Sequence, residues 1–243
     1  MVSSVTILAD CSVRRGHAMR RPVGHHLEDG HMAATVTVTA VKSVGSDTIA
    51  LEFDSPDGFD AEPGQFVKLS ATIDGEGYAR FYTLSSPTVE DTFEVTVGID
   101  DEEAGPFSKF LANLSEGDDV EMSGPYGSDH YEGESRVVVL AGGPGVGPAV
   151  AIAERALDDG NEAAVVYKDD DPAHDDRLTA LEEAEATVVV TDGDITDAVA
   201  DAVTGAEGEQ VFVYGFATFV DEAMEAIEAA GGDVDGAKVE NFG

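Results

Sequence analysis

Between Ala34 and Ile99 apolar and polar side chains alternate along ATVTVTAVKSV, TIALEF, GQFVKLSATI, RFYTLSS and FEVTVGI, with the turn-forming clusters SVGSD, SPDGFDAEPG, DGEGY and PTVED between them. A period of two broken by frequent turns predicts antiparallel strands with one buried face. About six short strands at this spacing, interrupted by the helical stretch FSKFLANL, predict a small barrel in preference to an open sheet. Beyond Tyr131 the period changes. RVVVLA, AAVVY, TVVV and VFVYG are continuous apolar runs, followed in turn by the helical patterns PAVAIAERALDDG, LTALEEA, ITDAVADAV and FVDEAMEAIEAAGG. Strands that are apolar on both faces and alternate with amphipathic helices predict a parallel sheet covered on both sides. The chain therefore reads as two domains, an N-terminal antiparallel β-barrel over residues 33–132 and an α/β domain over 133–243, joined at GPYGSDHYEGES.

Residues 1–32 do not share either pattern. They hold Arg14, Arg15, Arg20 and Arg21 of the chain's 13 bases, and His17, His25, His26 and His31 of its 6 histidines. The arginine pairs invite an export reading, but PVGHHLEDG after Arg21 lacks the apolar run of ~7 to 15 residues that a signal needs. Metal binding by the histidines would require a scaffold to orient them, and this glycine-rich stretch predicts none. A disordered extension is expected here, with Met32 as the true start.

Charge narrows the partners. Fifty acids against 13 bases leave a formal charge of −37, which repels nucleic-acid backbones and anionic lipid alike. No run reaches the ~18 to 20 apolar residues of a membrane span, so a cytoplasmic location is expected. The single cysteine, Cys11, excludes an internal disulfide framework, a cysteine-rich zinc site and an iron–sulfur cluster held by this chain's own thiolates. No metal site is expected. The acids are spread through nearly every segment, as in a solvated coat, and the composition resembles that of proteins from salt-accumulating halophiles.

Gly142, Gly143, Pro144, Gly145, Val146, Gly147 and Pro148 lie between a predicted strand and a predicted helix. There a backbone can approach a pyrophosphate while the helix N-terminus offers unpaired N–H groups. Read as G-x-G-x-x-G from Gly143, the loop places Gly145 correctly but Pro148 where the last glycine belongs. A Rossmann-like nucleotide site and a tight structural turn both fit.

Four motifs in order carry a resemblance: Arg80-Phe81-Tyr82-Thr83 ahead of LSSP, Gly105-Pro106-Phe107-Ser108 opening a helix, Gly124-Pro125-Tyr126-Gly127 at the end of the barrel, and Ala141 to Gly145. From Ala33 to Gly243 the chain resembles the ferredoxin–NAD(P) reductase family. The resemblance implies that the barrel binds a flavin, usually FAD, and the α/β half NAD(P)H. It implies that Arg80 pairs with the flavin phosphates, Tyr82 packs on the isoalloxazine and Thr83 hydrogen-bonds near N5. Gly105 and Ser108 would admit the pyrophosphate, and the backbone of Val97 to Ile99 would meet the adenosine. Ser108 would also cap its helix. The bland alternatives are a strand-edge ion pair for Arg80 and a core position for Tyr82.

One departure stands out. Where the family commonly has cysteine, glycine and proline beside the nicotinamide, this chain has Tyr214-Gly215-Phe216. The closing Glu240-Asn241-Phe242-Gly243 resembles the family's terminal acid-x-aromatic-glycine, with Phe242 near the flavin or in the core. His130 and His174 read as surface residues. After the second α/β strand, Tyr167-Lys168-Asp169-Asp170-Asp171 presents acids where an adenosine ribose is expected, which favours NADH over NADPH.

The resulting expectation is an FAD-dependent oxidoreductase that passes hydride from NAD(P)H to flavin and electrons onward to ferredoxin or another redox partner, with no general base. Its rivals are a flavin-binding adaptor subunit with little nucleotide turnover and a flavin-free NAD-dependent dehydrogenase. Self-repulsion on this scale needs screening, and the Debye length falls from ~10 Å at 0.1 M salt to ~3 Å at 1 M. Circular dichroism is expected to show loss of structure below a few tenths molar salt; an intact spectrum at about 10 mM salt would refute this.

Overall fold

The structure, a computed structural model, describes residues 26–28, 31–99 and 105–242. Residues 1–25, 29 and 30, where most of the expected extension falls, lie outside them. Strands β1 (His26–Glu28), β2 (His31–Ser43), β3 (Thr48–Asp54), β4 (Phe66–Ile73), β5 (Glu76–Thr83), β6 (Thr92–Gly98) and β7 (Asp119–Tyr126) form one antiparallel sheet in the order β5-β4-β7-β2-β3-β6, with β1 on β2. The sheet curls back on itself. Leu84, one residue past β5, bridges Val95 of β6, and Ser85 donates its N–H to the Glu94 carbonyl at 2.8 Å. Alternate residues such as Val36, Val38, Leu51, Phe53, Val67, Leu69, Phe93 and Val95 fill the interior, as the period of two requires. At the β4–β5 hairpin Asp74 and Gly75 both have positive φ, 52° and 87°, the geometry that lets a two-residue loop follow the strand twist.

Two boundaries differ from expectation. The expected edge of the folded chain at Met32 falls inside β2, because pairing with β7 begins at Met32 and His31 already pairs with Glu28. Strand β7, DVEMSGPY, alternates polar and buried residues only over Asp119–Met122 before Gly-Pro interrupts it, too short a run to stand out in sequence. It is nonetheless central, lying between β4 and β2. A short helix, α1 (Pro106–Ala112), precedes it.

In the second domain β8 (Arg136–Gly142), β9 (Glu162–Lys168), β10 (Thr187–Thr191), β11 (Glu209–Gly215) and β12 (Lys238–Asn241) form a wholly parallel sheet ordered β10-β9-β8-β11-β12. Helices α2 (Val146–Asp158) and α3 (Asp175–Glu183) cover one face, and α4 (Thr196–Ala202) and α5 (Ala217–Ala229) the other. From β8 the chain moves to β9 and β10 on one side, then returns to β11 and β12 on the other. Such a reversal opens a crevice at the carboxyl ends of β8 and β11, where α/β sheets bind their ligands. Among the described residues no helix is long and apolar enough to cross a membrane.

A tight seam joins the domains. A Cβ on Gly147 of α2 would lie 2.6 Å from Thr96 Oγ1 in β6, so only glycine lets the helix sit this close to the barrel. Thr96 Oγ1 in turn hydrogen-bonds His174 Nε2 at 2.8 Å, and the His174 N–H donates to the Val44 carbonyl at 2.7 Å. His174 is therefore not a surface residue. It is 4% exposed, and burial, with Arg177 and Lys42 nearby, holds the imidazole neutral by pulling its pKa down to about 3. In sequence Pro172-Ala173-His174 has the look of a polar surface loop. The folded chain clamps that loop between Val44 and Thr96.

Candidate functional site

β5 carries the first group of site residues to the seam. Along the strand burial increases toward its end, with Arg80 exposed, Tyr82 half-buried and Thr83 buried. Arg80 Nη1 donates to the Ala79 carbonyl at 2.8 Å, and among the described residues the guanidinium has no carboxylate partner. The contrast with Arg136, Arg155 and Arg177 is sharp, since each of those is paired with acids at 3.2 Å or less. Among the described residues the alternative, a strand-edge ion pair for Arg80, has no partner acid. Tyr82 packs on Phe107 with ring centroids 6.4 Å apart and hydrogen-bonds Ser108. Burial lifts its phenol to about 12 against the opposing pull of Arg80 and Ser108.

The α1 motif works differently from expectation. Gly105 is the N-cap residue and no side chain caps the helix, so Ser108, at the third helical position, serves Tyr82 instead. Pro106 occupies the first helical position, where its missing N–H costs nothing. Phe107 is buried in the barrel core and supports Tyr82 from beneath. A Cβ on Gly105 would meet nothing within 4 Å, which leaves room for a ligand at that point. Val97 and Ile99 point their side chains into or against the same core. The N–H of Ile99 is already donated to the Asp47 carbonyl at 2.8 Å, so it cannot serve an adenosine as a donor.

The glycine loop separates into packing and open positions. A Cβ on Gly142 would fall 2.4 Å from the Phe219 ring, and one on Gly145 would fall 2.2 Å from the Tyr214 carbonyl oxygen. These two glycines are required by the fold itself. Gly143 alone of the three has positive φ, 56°, and is open, since a Cβ there would find its nearest neighbour in Asp169 Oδ2 at 4.0 Å. Gly143, Pro144 and Gly145 form a single 3₁₀ turn leading into α2. Asp169 also accepts from the Tyr167 hydroxyl at 3.1 Å, which fixes a carboxylate beside the open glycine. Lys168 turns away, with Nζ 2.7 and 2.8 Å from the two carboxylate oxygens of Glu222.

Between the domains Thr83 Oγ1 lies 3.0 Å from both carboxylate oxygens of Glu240 on β12. Burial raises the Glu240 pKa to about 7, with Asp129 adding to the rise and the Thr83 hydrogen bond opposing it. Next to Glu240 in the β11–β12 register stands Tyr214. Its side chain crosses from the Gly145 turn toward Gly64 in the barrel, where a Cβ would lie 2.9 Å from the hydroxyl. The phenol is fully buried, its oxygen has no hydrogen-bond partner among the described residues, and burial pushes its pKa well up. A cavity of about 180 Å³ opens beside it, bounded by Phe66, Gly127, Asp129, Tyr214 and Glu240. Gly215 is held to glycine by the Phe219 ring, 2.7 Å from a Cβ there.

A wider cleft of about 430 Å³ lies elsewhere on the seam, by Lys42, Glu94, Glu154 and Arg177. Both of its cations are already matched with carboxylates, so it offers no unbalanced charge to a phosphate. The candidate site is the seam carrying Arg80, Tyr82, Thr83, Gly143, Tyr214 and Glu240. Most of these are legible in the sequence, but the Thr83–Glu240 pair is not, because 157 positions separate the two.

Glu240 makes a testable contribution. A carboxyl whose folded pKa is raised favours the protonated native state, so stability falls as pH rises from about 4.5 through about 7 and levels off above. Glu240→Gln is expected to flatten that slope, removing a cost on the order of 3 kcal/mol at pH 8. Urea unfolding at pH 5 and pH 8 in fixed high salt measures it, and identical slopes for variant and parent would refute the assignment.

Residues 35–131 match the family described as the oxidoreductase FAD-binding domain. The toluate 1,2-dioxygenase electron transfer component of Pseudomonas putida is 31% identical over 163 residues, covering 65% of this chain and 46% of that protein. NADH-cytochrome b5 reductase 1 of Eremothecium gossypii is 35% identical over 91 residues, covering 37% of this chain and 32% of that protein. The chain thus spans less than half the length of these curated relatives. A ferredoxin NADP+ reductase from Neisseria gonorrhoeae, solved with bound FAD and NADP, superposes with a TM-score of 0.69 at 18% identity, covering 87% of this chain and 99% of that one. The barrel half thus matches the oxidoreductase FAD-binding domain in sequence, and the chain as a whole shares its two-domain fold with a ferredoxin NADP+ reductase.

Proposed function

We propose that this chain is a flavin-dependent reductase that takes hydride from NADH and passes electrons to a separate redox partner such as a ferredoxin. The observation that carries the reading is Arg80. On a surface with 50 acids in the chain, an exposed guanidinium that pairs with none of the described ones is held available for an anionic ligand, and its planar fork suits phosphate oxygens. The fit extends to its neighbours. Tyr82 offers a ring held by Phe107 and Ser108, and Gly105 leaves open space. FAD, when bound, would supply the hydride-accepting and electron-releasing chemistry.

The chain's own residues bind, orient and exclude water. Arg80 would neutralise the phosphates, Tyr82 would support the flat ring system, and Thr83 would present its hydroxyl at the seam. Glu240 fixes the rotamer of Thr83 by accepting its hydrogen bond, so Thr83 meets a ligand through its oxygen lone pairs. The nucleotide would lie across the carboxyl ends of β8 and β11, its pyrophosphate over Gly143. The matched relatives named for NADH and for electron transfer support donor and role, and a cytoplasm holding molar salt suits the charge. No observation favours the flavin-free dehydrogenase.

The ultraviolet–visible spectrum of the purified protein is expected to show oxidised flavin, and NADH is expected to reduce ferricyanide through it. Arg80→Ala should lower flavin affinity about ten- to a hundredfold, the worth of a charge-assisted contact of ~1.5 to 3 kcal/mol, with circular dichroism in high salt unchanged. Full flavin retention by the variant would overturn the role of Arg80. A yellow protein that leaves ferricyanide untouched would identify an adaptor instead.

Nucleotide choice follows from Asp169. With Lys168 engaged by Glu222, the ribose end would face the Asp169 carboxylate with Lys168 turned away, and an extra 2′-phosphate is repelled. At fixed high salt kcat/KM is expected to favour NADH over NADPH about tenfold, a difference of ~1.4 kcal/mol. Equal values would show that Lys168 leaves Glu222 to meet the phosphate.

A further inference from the structure

We propose that β10 is an interface between two copies of this chain. Thr187 to Thr191 of each copy pair antiparallel about a two-fold axis at Val189, and the two parallel sheets run on into one. Among the described residues no strand pairs with the outer edge of β10, which ends the order β10-β9-β8-β11-β12. The other sheet ends are closed or guarded. In the barrel the ends of the strand order meet through the Leu84–Val95 bridge. At the far end of the parallel sheet β12 is four residues long, with Lys238 held by Glu132 and Glu134 and Glu240 by Thr83. Edge strands ordinarily carry charge, proline or a bulge that discourages pairing. β10 has none of these. It reads Thr-Val-Val-Val-Thr in unbroken register with β9, in a chain where 50 of 243 residues are acids, and Val190 is 42% exposed.

Backbone and sequence choose the same register. The Asp169 N–H bonds the Thr191 carbonyl at 3.0 Å, and Thr191 stands opposite Lys168. Alternate residues of a parallel strand bond a given neighbour, so Thr187, Val189 and Thr191 turn their peptide groups to β9 while Val188 and Val190 turn theirs outward. An antiparallel copy centred on Val189 sets Val188 opposite the partner's Val190 and Val190 opposite the partner's Val188, each a pair able to exchange both backbone hydrogen bonds. Because the strand reads the same in both directions, threonine faces threonine and valine faces valine throughout, as a two-fold interface requires. Continued past the strand ends, this register sets Asp192 opposite Ala186, Glu185 opposite Gly193 and Asp194 opposite Ala184. No acid stands directly across from an acid. Centred on Val190 instead, the pairing would set Val188 against Asp192, and centred on Val188 it would leave Val190 facing Ala186.

Val188 packs on the core between the sheet and α2–α3, and Val190 follows it on the same face. Each exposed Val190 is therefore covered by the partner's Val188, a β-branched pair of the kind that stabilises antiparallel strands. A ladder of this length buries less than a permanent interface needs, so the dimer is a reversible one. Each copy also brings a formal charge of −37, which must be screened before the neutral strands can meet. Salt thus promotes the contact. In the sheet order β9 separates β10 from β8 and the crevice beyond it, so pairing at β10 leaves the seam of each copy open.

Sedimentation velocity of the full chain in high salt, over about a hundredfold range of concentration, is expected to show a shift from the mass of one chain to that of two. At one concentration the share of dimer should grow with salt. Val190→Pro removes an outward N–H and leaves the ladder to β9 intact, and it should weaken pairing about tenfold or more. Val190→Thr keeps both the N–H and the branched side chain and should pair within about twofold of the parent. Circular dichroism checks that each variant is folded; should Val190→Pro fail, Val190→Glu, which sets an acid against Val188, takes its place with the same expectation. In a Cys11→Ser background, oxidation of Val189→Cys should link two chains by a disulfide, since the two side chains meet at the axis with Cβ atoms ~4.5 to 5.5 Å apart. Val41→Cys, exposed on the barrel, should not link. A parent that keeps the mass of one chain at every concentration would overturn the proposal. So would a dimer that survives the substitution at Val190, a dimer that weakens as salt rises and is thus held by ion pairs, or equal linking at Val41 and Val189.

Discussion

The close approach of α2 to the barrel at Gly147 is the constraint on which the rest depends. With no side chain there, Thr96 reaches the helix and hands its hydroxyl to His174, whose backbone is in turn bonded to Val44. Gly145 repeats the device just ahead of the helix, letting the loop lie on the Tyr214 backbone. The same close meeting of the two domains brings Thr83 of β5 within hydrogen-bond reach of Glu240 on β12. Adding a methyl group at either glycine would move every one of these distances together.

Charge acts on a different scale. Fifty acids act as a diffuse repulsive field that screening controls. Within it the few cations are placed with care. Arg136 ties β8 to Glu209 and Glu162, Lys238 gathers Glu132 and Glu134, and Arg177 joins Glu94 of the barrel to Glu154 of α2. Against this background an arginine on β5 with no acid beside it among the described residues is more informative than it would be on an ordinary surface. The same composition that hides most polar signals makes that one legible.

Much of the fold is readable in the sequence because it rests on local periodicity. Buried faces of β2, β3, β4 and β6 follow the alternation, and the parallel strands β8, β9 and β11 follow the continuous apolar runs. The failures share a cause. β7 alternates only from Asp119 to Met122 before Ser-Gly-Pro breaks the pattern, and β12 is only four residues, KVEN, three half-buried and one exposed, so in neither does a period run long enough to stand out. His174 reads as exposed because what buries it, Val44 and Thr96, lies far away in sequence. At the site, Arg80, Tyr82 and the glycine loop are legible as motifs, whereas the division of that loop into packing glycines and one open glycine depends on Phe219 and Tyr214 arriving from elsewhere. Ser108 stands out in the sequence for a capping role it does not have, its partner being Tyr82 rather than its own helix.

The bond between His174 and Thr96 joins two neutral groups, with the imidazole kept uncharged by burial, and the bond from the His174 N–H to Val44 is backbone to backbone. Ions in solution have no handle on either. Within the range of salt in which the chain stays folded, these two bonds are less open to screening than the Arg177 bridge from Glu94 to Glu154 across the same seam. Whatever meets at that seam finds a spacing held partly by neutral bonds, so its geometry answers less to ionic strength than the charged exterior does.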